Sequence, residues 1–264
     1  MVSIAGSKKL KRQMAPQFWG ITRKAKRFVI TVKPGSHKKS NSIPTAVFLR
    51  DTLNIVTSLR EAKASIYSGN VKIDGVVRKS LHHSIGLMDV VELENVSDIY
   101  RLVPTEDKLL EPIKIKESEK SKKLVRVTTK TTINKGKLQI GFHDGRSIIS
   151  DTKVSVGDVC LIQVPEQKIL EVIKLEAGTQ GLVTSGNNAG QIGKIETVEE
   201  GTFILPKRVI LSLGDRKIEI PADIIMPIGK QEPIIQLKWS YVSSNRIQNE
   251  ENLFRESCTK HGFR

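Results

Sequence analysis

Lysine and arginine occur twelve times in the first fifty residues, and the first acidic residue is Asp51. Cations gathered without counter-ions repel one another. The usual reason to gather them is a partner of dense negative charge, most often a nucleic acid. The candidates for phosphate contact are Lys8, Lys9, Lys11, Arg12, Arg23, Lys24, Lys26, Arg27, Lys38, Lys39 and Arg50, with Trp19 and His37 interleaved. Arg60, Lys63, Lys72, Arg78 and Lys79 continue the series downstream. A second candidate is the glycine-rich run from Ser185 to Lys194, where Asn187, Gly190, Gly193 and Lys194 stand out. Its glycines permit positive φ and let an RNA backbone approach exposed amides. A P-loop would need glycine where Asn188 stands and Ser or Thr where Ile195 stands. The β-branched residues around the run argue against the helix that a dinucleotide fingerprint opens.

No arrangement in the chain suggests a catalyst. Gly-x-Ser-x-Gly and His-Glu-x-x-His are absent, and no carboxylate pair sits among apolar residues in a way that would tune it. The five histidines are scattered, so no metal site and no cofactor is expected. Cys160 and Cys258 read as reduced thiols. There is no apolar run of 18 residues, and Met1 to Gly6 lacks the apolar core of a secretory signal. The expectation is a cytoplasmic protein with no membrane and no small-molecule substrate. The chain has 43 basic and 28 acidic residues, so +12 of its net +15 lies before Asp51.

The elements that must position these residues follow from the pattern. Residues 1–42 read as a basic extension whose apolar residues tuck in while its cations face phosphate; such an arm is expected to order only on binding. Residues 43–105 read as an α+β module. A helix opens after Pro44, and Ser58-Leu59-Arg60-Glu61 is a capping box for a second helix with Leu59, Ala62 and Ile66 on one side. Gly69 ends it, and Asp74-Gly75 turns a hairpin. The charged run Lys114 to Lys123 reads as a linker or exposed loop within a segment, 106–172, that is otherwise a central β domain. Short strands at close spacing through 173–238 suggest a small barrel, and 239–264 reads as a polar tail.

Several of these segments together resemble one family, the archaeal and eukaryotic small-subunit ribosomal protein of the S4e type. The resemblance rests on Gly6-Ser7-Lys8-Lys9-Leu10-Lys11-Arg12, Ala15-Pro16, Trp19 and Pro34-Gly35-Ser36-His37-Lys38 at the start. It continues through Phe48-Leu49-Arg50-Asp51, Gly69-Asn70-Val71, Lys72-Ile73-Asp74-Gly75 and Gly86-Leu87-Met88-Asp89-Val90, which look like an S4-like RNA-binding module. Gly181 to Ile195 looks like a KOW motif of an SH3-like barrel. The family usually has His where this chain has Lys9, which keeps a cation there. The resemblance implies a structural constituent of the small ribosomal subunit that binds rRNA, contacts neighbouring ribosomal proteins and serves translation. Two other functions compete with it: an RNA-modifying or RNA-charging enzyme, which would need a catalytic domain of its own, and a KOW-type transcription factor, which would leave the acid-free arm unexplained.

Overall fold

The computed structural model describes residues 10–237 except 23, 25, 26, 95, 107, 108, 134, 135, 214, 215, 231 and 232. Strands dominate, and helices are few and short among the described residues. Strands β1 (Leu10–Lys11) and β2 (Phe28–Val29) pair antiparallel within the basic extension. Strand β3 (Ile43–Pro44) then leads into α1 (Thr45–Val47) and one turn of π-helix at Phe48–Thr52. Helix α2 (Leu59–Ser68) is bounded as its sequence dictates. Ser58 Oγ accepts from Glu61 N at 3.2 Å and the Glu61 carboxylate reaches back to the Ser58 N–H. Gly69 closes it at φ 94°, a conformation that costs a residue without Cβ little. Ala62 and Ile66 are buried; Leu59, in the first turn, is exposed.

A five-stranded antiparallel sheet follows, in the order β5 (Val76–Val77), β4 (Val71–Ile73), β7 (Val90–Leu93), β8 (Val96–Val103) and β9 (Glu111–Ile115), while β6 (Ser84–Ile85) pairs with β3. Asp74 and Gly75 turn the β4–β5 hairpin at φ 51° and 73°, both positive as a tight two-residue turn requires. A second sheet runs β12 (Ser147–Ile149), β11 (Leu138–Phe142), β10 (Lys122–Thr132), β13 (Val159–Gln163) and β14 (Lys168–Ile173). A third runs β18 (Arg216–Pro221), β17 (Arg208–Leu213), β16 (Ile192–Glu199), β15 (Gln180–Val183) and β19 (Ile225–Gly229). Alternate residues along these strands face different cores, and β13 and β19 are buried on both faces. Val125, Val127, Ile140, Phe142, Cys160 and Ile162 fill the second sheet, and Val183, Ile195, Val209, Leu211, Ile220 and Ile225 fill the third. A further cluster joins all three sheets through residues such as Val90, Ile113, Leu124, Val159, Leu182 and Met226.

Two expectations need correction. The run from Lys114 to Lys123 is not a linker. It contains the end of β9, a short 3-10 turn at Glu117–Glu119 and the start of β10, and the Lys123 side chain is fully buried. Charge density alone suggested solvent; the buried ammonium instead meets carboxylates brought in from distant turns. Nor does the extension lie loose over its described part. Leu10 and Trp19 are buried in one core with Phe48, Ile66 and Val71, and Ala15, Phe18, Ile21, Val29, Ile30 and Val32 pack against it. Fixing such a strap costs backbone entropy, which the buried apolar area offsets. The expected tail lies outside the described residues, as do Cys258 and His261.

Candidate nucleic-acid interface

The extension is pinned at its C-terminal end by His37. Its Nε2 lies 3.0 Å from Asp89 Oδ2, and Ser36 Oγ lies 2.8 Å from Ser84 Oγ. Gly86 makes room: a Cβ there would fall 2.4 Å from the imidazole ring, and the Gly86 N–H donates to Asp89 at 2.8 Å. Behind this contact sits the Lys123 ammonium. It is 2.7 Å from Asp74, 2.5 Å from Asp89 and 3.1 Å from Asp144, with Arg146 2.5 Å from Asp74. Three turns, each carrying an aspartate next to or near a glycine, therefore converge on one lysine. Burial alone would raise the Asp89 pKa, but His37 and then Lys123 outweigh it and hold the carboxyl well below the usual range. The same carboxylates raise Lys123 against its own burial. A second buried cation, Arg101, donates to Glu119 and to the carbonyls of Glu119 and Lys122, and burial lowers its pKa to about 10. Both cations brace the start of β10.

Around this frame the predicted site residues separate. Lys11, Lys24, Arg27, Lys38 and Lys39 stand exposed on the extension, and Arg60, Lys63, Arg78 and Lys79 on the module. Arg27 stacks over the Phe28 ring at 5.5 Å and Lys63 over Tyr67 at 5.6 Å. Arg12 and Arg50 line one groove of about 580 Å³ between the extension and the approach to α2, with Phe28, Asn54 and Thr57. Arg50 is 2.6 Å from Asp51, which takes up part of its charge. Lys38 lines a different cavity, of about 240 Å³, with Arg126, Asn41, His143 and Ser185. Lys72 is half-buried opposite Glu92 in the β4–β7 register. Lys8, Lys9, Arg23 and Lys26 lie outside the described residues.

Trp19 and His37 are inside the fold, not on its surface. Trp19 is 0 % exposed and its indole N–H donates to the Ser42 carbonyl at 2.8 Å, so it has no face on which a base could stack. An aromatic among lysines fits either place, and here it anchors the strap.

The glycine-rich run divides in the same way. Asn187 and Lys194 are exposed. Gly190 has φ 80°, and a Cβ there would lie 2.6 Å from Thr105 Cα, so its approach is to this chain's own backbone. Gly193 sits within β16 opposite Gly181, where a Cβ would meet the Ser212 carbonyl at 2.6 Å. It serves the close passage of β17. Lys194 shares a shallow depression of about 440 Å³ with Lys230, Gln180 and Ser212. Lys33 and Lys230, both exposed, are further cations that motif spacing does not single out, although Lys33 lies in the same acid-free stretch.

Known proteins resemble this chain over most of its length. The model for Ribosomal family S4e matches residues 96–169, and that for the RS4NT (NUC023) domain matches residues 5–40. The chain is 36 % identical over 249 residues to small ribosomal subunit protein eS4 of Staphylothermus marinus, covering 90 % of this chain and 98 % of that one. It is 37 % identical over 238 residues to eS4 of Methanothermobacter thermautotrophicus, with the same coverage of 90 % and 98 %. The crystal structure of 30S ribosomal protein S4e from Thermoplasma acidophilum superposes with a TM-score of 0.63 at 32 % identity, covering 72 % of this chain and 96 % of that one. On relatives of this identity matched over nearly their whole length, the chain belongs to the ribosomal S4e family.

Proposed function

We propose that the chain is a structural constituent of the small ribosomal subunit, binding its rRNA and taking part in translation. It acts by shape and charge, not by catalysis. The observation that carries this reading is the extension. Its apolar side chains are packed on the body while Lys11, Lys24, Arg27, Lys38 and Lys39 stand exposed with no acidic residue among them. A strap fixed in this way presents cations at set positions, so phosphates are met without ordering a free tail. In this reading residues 43–105 act as the S4-like module, 106–172 as the central β domain and 173–238 as the KOW barrel, each adding basic residues that read backbone and shape. Arg60, Lys63, Arg78 and Lys79 extend the contact from the module, and Asn187 and Lys194 from the third sheet. Neighbouring ribosomal proteins complete the setting, which is cytoplasmic.

The test is the salt dependence of binding to small-subunit rRNA. Replacing Lys38 and Lys39 with Gln removes two exposed cations and no packing. Each phosphate that is no longer neutralised should reduce the steepness of log K against log salt by about 0.7–0.9. A slope equal to that of the unaltered chain would refute phosphate contact by Lys38 and Lys39.

A further inference from the structure

The loop joining β16 to β17 carries Phe203, Ile204 and Leu205 in succession, 107 %, 86 % and 46 % exposed. Tight turns favour Gly, Asn, Asp or Pro, because each of these suits the backbone or bonds to it. Here two large apolar residues occupy the tip of a turn that is nonetheless closed. The Thr202 N–H donates to the Leu205 carbonyl at 2.8 Å, and the Leu205 N–H donates to Thr202 Oγ1 at 3.2 Å. Gly201 permits the close stem, since a Cβ there would lie 2.8 Å from Lys207 N, and Pro206 stiffens the return. Phe203, Ile204 and Leu205 belong to none of the apolar clusters among the described residues, so they contribute nothing to the core. Local rules broken without gain to the fold point to function.

Charge selects the class of partner. The two cations beside the tip are already engaged: Lys207 lies 2.8 Å from Glu200, and Arg208 contacts Glu219 with Glu199 at 3.9 Å. Three carboxylates against two cations leave this end of a +15 chain locally negative. A phosphate backbone would be repelled there. An apolar cleft with a basic rim would gain both ways.

We propose that residues 203–205 form a plug that seats in an apolar cleft, rimmed by Lys or Arg, on a neighbouring protein of the assembly. The inference rests on the ribosomal function proposed for the chain. Its test places a photoreactive benzoylphenylalanine at position 203 of the full chain and irradiates small subunits purified through high salt. The expected adduct is a peptide of a subunit protein, taken from an apolar stretch bounded by basic residues. An adduct on rRNA, an adduct on a second copy of this chain, or no adduct would overturn the proposal. A companion variant, Phe203→Ser with Ile204→Ser, should melt as the unaltered chain does, because it removes nothing from the core. It should nevertheless fall about tenfold in competition for incorporation into subunits. Equal incorporation would also overturn the plug. If the unaltered chain is absent from small subunits, the ribosomal function itself fails; presence there without the adduct sinks the plug alone.

Discussion

Lys123 is the residue whose loss the fold should tolerate least. Its ammonium is fully buried and lies within 3.1 Å of Asp74, Asp89 and Asp144. Lys123→Met keeps the length of the side chain and removes the charge. Three carboxylates then face one another with Arg146 and His37 as the remaining counter-groups. Removing one partner of a buried ion pair costs about 3–5 kcal/mol, because the charge left behind stays desolvated. For a chain of this size that is a fall of roughly 6–20 °C in melting temperature. The acid limb should change as well. In the unaltered chain Asp89 titrates below its unfolded range, so its contribution is present above about pH 4 and is lost as the pH falls further. Lys123 titrates above its usual range, so its contribution is present at neutral pH and is lost only as strongly alkaline pH passes its folded value. In Lys123→Met the orphaned carboxylates favour protonation, so acidification from neutral pH toward 5 should stabilise the variant relative to the unaltered chain. Adding Asp144→Asn removes one orphaned charge and should recover part of the stability, making the double variant less damaged than the two single changes summed. Urea or thermal unfolding at pH 7 and pH 5 measures all of this. A cost under about 1 kcal/mol, or strict additivity, would refute the account of a single coupled cluster.

Three further outcomes are expected. Trp19→Ala should cost about 3–5 kcal/mol, because it empties a fully buried site and leaves the Ser42 carbonyl without its donor; a cost below about 1 kcal/mol in urea unfolding would mean the strap is not anchored there. Ser58→Ala should cost about 1 kcal/mol through removal of the cap, read as a small drop in melting temperature with rRNA affinity unchanged. His143 is pushed down to about 4, chiefly by burial, whereas its unfolded value is near 6.5. Between those values the unfolded chain binds the extra proton, so stability should fall as the pH drops from 6.5 toward 4. His143→Asn should flatten most of that fall, leaving the smaller part due to His83, which burial also shifts down. An unaltered pH profile in His143→Asn would contradict the assignment.

What the sequence showed directly was what neighbouring residues decide. The Ser58–Glu61 capping box, the Gly69 stop and the Asp74-Gly75 turn depend on interactions within a few positions, and all three stand where the pattern put them. The strands from Leu138 to Ile220 were legible for the same reason, since alternation and turn residues are local. The Lys123 cluster was not, because its partners are 21 to 49 residues away in the chain and nothing in the local pattern links them. Asp74 was legible as a turn residue, but its second role, accepting from Lys123 and Arg146, appears only when two sheets meet. Trp19 was visible as unusual and misplaced. Its type fitted either a stacking surface or an anchor, and only the packing of the strap decides between them. Gly190 shows a mixed outcome: its positive φ was expected, while its partner proved to be the backbone at Thr105.

Permanent membership of the small ribosomal subunit, through phosphate contacts of the basic strap, is open to a simple measurement: sedimentation of the tagged chain from lysate on sucrose gradients, at low and at high salt. The chain is expected to travel with the small subunit under both conditions. A chain that runs free, or with RNA polymerase, would contradict it.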